Sequence, residues 1–158
     1  MSRFSKRIGE ENLNKIIDHK VVKLLKGQYN NEVDGMLDAS FIKARSIRHP
    51  TDNQTGYSDA DARAGRAGRS FALGYKLHLS IDHRTMLPLS SVFASANQNE
   101  KRHPLTLLEK AQGILKRGKA KVRSVVADSQ CSDSKLRCAV ERRLFHIRLI
   151  IGRVWRVC

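Results

Sequence analysis

Two residues of this chain, Asp38 and Asp128, have the type and spacing to do chemistry. Asp38 stands in GMLDASFIKA and Asp128 closes VRSVVAD, so each lies in or at the end of a strand-like segment. Hydrolysis or transfer of a phosphodiester needs charge relief around a pentavalent phosphorus and an activated hydroxyl. Two Mg²⁺ ions about 3.5–4 Å apart supply both. Such hard cations, Mg²⁺ or Mn²⁺, take carboxylate oxygens. Two acids carried on neighbouring strands would begin such a site, acting as metal ligands and as catalytic groups together. Either aspartate taken alone is more ordinary, because Asp commonly opens a turn or caps a helix.

Other polar residues carry softer signals. Lys76 and His78 alternate with Leu77 and Leu79, which gives that strand one polar face open to phosphate or to solvent. Arg63, Arg66 and Arg69 punctuate DARAGRAGR and read as contacts to a nucleic-acid backbone that would order on binding. Its GRAGR spacing is a weak phosphate-loop signal without a strand before it and a helix after it. Asp59 and Asp61 could assist a metal but fit a solvated turn better. Asp82 and Glu100 read as a turn cap and an ion pair on the approach to a helix.

The elements that must position these groups follow from periodicity. Leu13, Ile17, Val21, Leu24 and Leu25 recur at helical spacing over residues 10–26. Leu37, Ala39 and Phe41 alternate with Asp38, Ser40 and Ile42, predicting a strand. Residues 46–70 lack an apolar pattern and read as a long loop. A hairpin follows, with one strand around Tyr75–Ile81, the turn DHRT, and a second strand around Leu87–Ala94. Pro104 and the stripe Leu108, Ala111, Ile114 and Leu115 predict a helix over 104–117. Val122, Val125 and Val126 make a buried strand, then come a helix at about 133–145 and a strand at 147–151. This order predicts an α/β mixed sheet flanked by helices in the ribonuclease H-like topology.

Thirty Lys and Arg against fifteen acids give a formal charge of +15 in 158 residues. Such a field favours a polyanion, whose condensed counterions are released on binding. No segment is apolar long enough to span a bilayer and no helix pairs a basic face with an aromatic one, which disfavours a membrane. The polar N-terminus lacks a signal core, so the reading is cytoplasmic and nucleoid-associated. Cys131, Cys138 and Cys158 show no CxxC spacing and read as free thiols.

The wording of the chain resembles the DDE transposases of bacterial insertion sequences. The matching text is LDASFIKA, SDADARAGR, GYKLHLSIDHRTMLPLSSVFASANQNEKRHPLTLLEK and VVADSQCSDSKLR, in that order over residues 33–151. The resemblance implies that Asp38 and Asp128 are the first and second catalytic acids, a Mg²⁺ or Mn²⁺ pair the cofactor, and DNA the partner. It also implies self-association, or association with an intact transposase. The family adds a third acid, a Glu on a later helix. Glu141 lies too early for it and is left unassigned. Cys131 stands where the family often has Tyr, and the tail departs from the expected proline-bearing loop.

The expected organisation is therefore an N-terminal helix and linker (1–32), a partial catalytic domain lacking its C-terminal part (33–152) and an irregular tail (153–158). The expected function is metal-dependent DNA strand cleavage and transfer, impaired by the missing third acid. The alternative is a non-catalytic basic DNA-binding module that competes with intact transposase.

Overall fold

The structure is a computed structural model that describes residues 10–28, 32–127 and 148–151. Asp128, the expected helix at 133–145, Glu141 and the three cysteines lie outside the described residues. The elements run α1 (Glu10–Gln28), β1 (Glu32–Lys43), β2 (Arg63–Ala67), β3 (Ser70–Asp82), β4 (Pro88–Ser95), a 3-10 turn (Glu100–Arg102), α2 (Pro104–Arg117), β5 (Lys121–Ala127) and β6 (Arg148–Ile151). The strands form one mixed sheet ordered β2-β3-β1-β5-β6, with β4 also on β3. β1 is antiparallel to β3 and parallel to β5, and β6 continues the parallel side.

Helix α2 forms where the sequence predicts it. Pro104 occupies the first turn, and Leu107, Leu108, Ala111, Ile114 and Leu115 supply one buried stripe. Each such Leu contributes about 1.5–3 kcal/mol on burial. The stripe packs on Val33, Leu37, Leu89, Val122, Val125 and Ala127, which form the core face of the sheet. Val21 of α1 joins this core, while Ile16, Ile17 and Leu24 stay about half exposed. The amphipathic N-terminal helix is thus attached to the domain along only part of its apolar face. Arg117 of α2 pairs with Asp18 of α1 at 2.7 Å.

Two expectations fail here. Residues 46–70 are not one long loop, because β2 and the start of β3 form a tight hairpin whose register ends at Ala67–Ser70. Gly68 turns it with φ 65°, a conformation that costs Gly little. The preceding segment is ordered too: Asp52 receives the Gln54 and Thr55 amides, and bridges join Arg48 to Gly56 and Thr55 to Arg63. Arg63, Arg66 and Arg69 are therefore already held on a hairpin rather than waiting for a ligand to order them.

The second correction concerns β3. Its polar face does not look outward. His78, Ser80 and Asp82 are buried, at 2%, 1% and 0% exposure, and Leu77, Leu79 and Ile81 are half-buried on the opposite face. Alternation divides a strand into two faces without saying which one is inside. Here the polar side lies beneath the approach to α2, where Lys76 meets Glu100 and Asp82 caps a turn, while His78 Nε2 and Ser80 Oγ have no hydrogen-bond partner among the described residues.

Candidate active site

Asp38 projects from the middle of β1 on the face away from α2. It shares that face with Asp34 and Met36, since residues two apart on a strand point the same way. Its carboxylate is exposed and accepts the Ala39 backbone N–H at 2.8 Å. No cation forms a salt bridge with it among the described residues. Across the sheet its register partner is Leu79. On the other side Leu37 is level with Ala127, the last residue of β5. Asp128 follows Ala127 in the chain and lies outside the described residues.

Four positions before Asp38, the sequence reading passed over an acid. Asp34 accepts hydrogen bonds from Arg123 Nε at 3.0 Å and Ser124 Oγ at 2.6 Å, and a second one from the Arg123 guanidinium. Those bonds, with Arg123 foremost, hold its carboxyl below the usual range against a smaller opposing effect of burial. The D-x-x-x-D spacing was the available signal, because it places both acids on one face of a strand.

The other candidates go to structural roles. Asp59 receives the Tyr75 hydroxyl at 2.6 Å, and this bond pushes the phenol up to about 12. Tyr75 stacks on Phe93 with ring centroids 4.7 Å apart. Asp82 caps the turn after β3 by accepting the amide and hydroxyl of Thr85. Lys76 and His78, read as phosphate contacts, are turned to the core face, where that role does not fit them. Lys76 pairs with Glu100 at 2.6 Å. The His78 ring lies 4.4 Å from that of His103, at the start of α2, a partner no local pattern signals. Burial first, then His103, pushes the His78 imidazole down to about 4, with Glu100 opposing. Burial also lowers His103. Arg66 and Arg69 remain exposed and Arg63 is half-buried.

An exposed carboxylate on the first central strand, one residue past the point where the parallel strand β5 ends, is what the ribonuclease H-like class of α/β domain presents. A solved structure agrees on the fold. The chain is similar to piggyBac transposase in a synaptic complex with hairpin DNA, with TM-score 0.50, 10% identity, and coverage of 98% of this chain but 30% of that one. It is also similar to Mos1 transposase in a paired-end complex with the left transposon end, with TM-score 0.46 and 13% identity over 90% of this chain and 42% of that one. This chain thus spans less than half the length of either. No curated protein matches it in sequence. Residues 30–150 match the family described as Transposase DDE domain, and the chain belongs to that family.

Proposed function

We propose that this chain is the metal-binding part of an insertion-sequence transposase that acts on DNA, with Asp38 and Asp128 as its metal-binding and catalytic carboxylates. The observation that supports this most is the freedom of Asp38. It is exposed, without a salt-bridge partner among the described residues, and one residue past the Leu37–Ala127 pair. Its donor atoms suit a hard divalent cation, Mg²⁺ or Mn²⁺. Bound there, such ions would polarise phosphoryl oxygens and activate a hydroxyl for in-line displacement. What the protein itself supplies is a carboxylate anchored by the Ala39 amide on a packed central strand. No cluster of three or more ligating side chains occurs among the described residues. A site of two carboxylates alone would bind metal weakly and cleave DNA slightly.

The DNA surface on this reading is the β2–β3 hairpin. Arg66 and Arg69 are exposed on it, and no acid occurs between Ala62 and Lys76. Each arginine that neutralises a phosphate adds about 0.9 to the slope of log affinity against log salt. A second reading, a DNA-binding module without catalysis that competes with intact transposase for ends or subunits, rests on the same hairpin. Gel shifts and a Mg²⁺/Mn²⁺-dependent nicking assay on one preparation separate the two. Duplex binding with slight, metal-dependent nicking that Asp38→Asn removes supports the first, and binding without nicking supports the second. Robust nicking that Asp38→Asn abolishes refutes the impairment. Preference for structured RNA over duplex DNA refutes both.

A further inference from the structure

The pairing of β1 with β5 changes register by one residue partway along. Val33 is level with Val122, an offset of 89 positions, but Asp34 is level with Ser124, and from there to Leu37–Ala127 the offset is 90. Arg123 is the extra residue, so Arg123 and Ser124 together oppose Asp34. This is the two-against-one count of a β-bulge, which is rare between parallel strands. Both residues of the doubled position bond the one carboxylate opposite them, through Arg123 Nε at 3.0 Å and Ser124 Oγ at 2.6 Å. The Arg123 guanidinium also pairs with the second carboxylate oxygen.

We infer that Asp34, Arg123 and Ser124 form a clamp that holds this bulge and thereby positions Asp38 relative to the end of β5. Without the extra residue, the offset of 89 would continue and Leu37 would face Val126 instead of Ala127. A slip of one position along a strand of about 3.3 Å rise moves a ligand well beyond the tolerance of a metal site. The slip would also carry β5's inward residues to the wrong face beyond the bulge. That opposes Val125 and Ala127, both 0% exposed, leaving the core. Core packing therefore favours the bulge from one side of the sheet, and the clamp holds it from the other. The register part of this inference stands on the described strands alone. Its consequence for metal binding rests on the proposed role of Asp38.

Cysteine pairs read the register directly. In a chain with Cys131, Cys138 and Cys158 changed to Ser, Met36→Cys with Val126→Cys joins residues that are now level. Met36→Cys with Val125→Cys joins residues that become level only after a slip. A disulfide needs Cα atoms about 4.4–6.8 Å apart, so each pair reports one register. With the clamp intact, the 36–126 bond forms at least about tenfold faster than the 36–125 bond. Asp34→Asn, or Arg123→Ala at a side chain 58% exposed, raises the 36–125 rate about tenfold or more. Unchanged rates in a folded Arg123→Ala variant overturn the inference, as does equal cross-linking of both pairs in the parent.

Mn²⁺ titration by electron paramagnetic resonance reads the consequence, with weakening of about 10–100-fold expected in Asp34→Asn. Arg123→Lys, which keeps the charge and one donor, restores part of the affinity. A register slip with unchanged Mn²⁺ affinity leaves the clamp standing and removes Asp38 from the metal site. Weaker Mn²⁺ binding without a slip assigns Asp34 an electrostatic role and overturns the clamp.

Discussion

Acidification from pH 7.5 to 5 destabilises this fold through the imidazoles of His78 and His103, His78 foremost. His78 is 2% exposed and its ring is pushed down to about 4, while in the unfolded chain it titrates near 6.5. The unfolded state therefore takes up the proton first. The stabilising contribution is fully present above about pH 6.5 and is lost as the pH falls towards 4. At about pH 5 the unfolded imidazole is almost wholly protonated and the folded one about one part in ten. The difference costs about 2 kcal/mol relative to pH 7.5, or about 4–8 °C in Tm for a chain of this size. His103 shifts in the same direction and adds to the loss. Urea unfolding at stepped pH measures it, and the window stays above most carboxylate titrations. His78→Gln should be less stable at pH 7.5 yet lose about 2 kcal/mol less than the parent by pH 5. A parent and a His78→Gln variant with the same pH slope, within about 0.5 kcal/mol, would refute the reasoning.

Lys76→Ala leaves the Glu100 carboxylate without its partner at 22% exposure, and a charged hydrogen bond of this kind is worth about 1.5–3 kcal/mol in urea unfolding. Gly74→Ala would set a Cβ 2.2 Å from the Ile42 carbonyl oxygen, so β1 and β3 must part; a cost of about 1–3 kcal/mol is expected in the same assay. Gly113→Ala, on an open face of α2 with nothing within 4 Å, should instead stabilise by about 0.5–1 kcal/mol. Asp38→Asn lies on the exposed side of β1 and should move stability by about 0.5 kcal/mol or less, so that any loss of metal binding is read on a folded chain.

Helix α2 and strand β1 were legible in the sequence because their apolar residues repeat at one clear period and one side of each faces the core. Strand β3 was legible as a strand but not by its faces. Lys76 on that face pairs with Glu100 and His78 lies against His103, groups brought there by the turn into α2 and invisible to a local pattern. The β2–β3 hairpin went unread since Arg, Ala and Gly carry no alternating apolar signal, and its register comes from the backbone ladder and Gly68. Of the candidate site, Asp38 was legible as an acid on a strand within a recognisable family wording. Asp34 was legible only as a second acid on the same strand face; its partners were not, because nothing in a sequence announces that a parallel strand changes register opposite it.

The chain carries +15, yet among the described residues no salt bridge reaches Asp38. Asp38 shares its sheet face with Met36, Leu79, Ile81 and Val126. The nearby guanidinium of Arg123 is already occupied by Asp34, and the arginines of the hairpin sit at the far end of β3. In so basic a protein, an unguarded acid would be neutralised by the nearest arginine. Its neighbours on that face, apolar apart from Asp34 and Ser40, offer it no cation among the described residues, which leaves the exposed carboxylate open to an external one. On the proposed function, sorting charge in this way would let one small domain hold a polyanion at one place and its counterion at another.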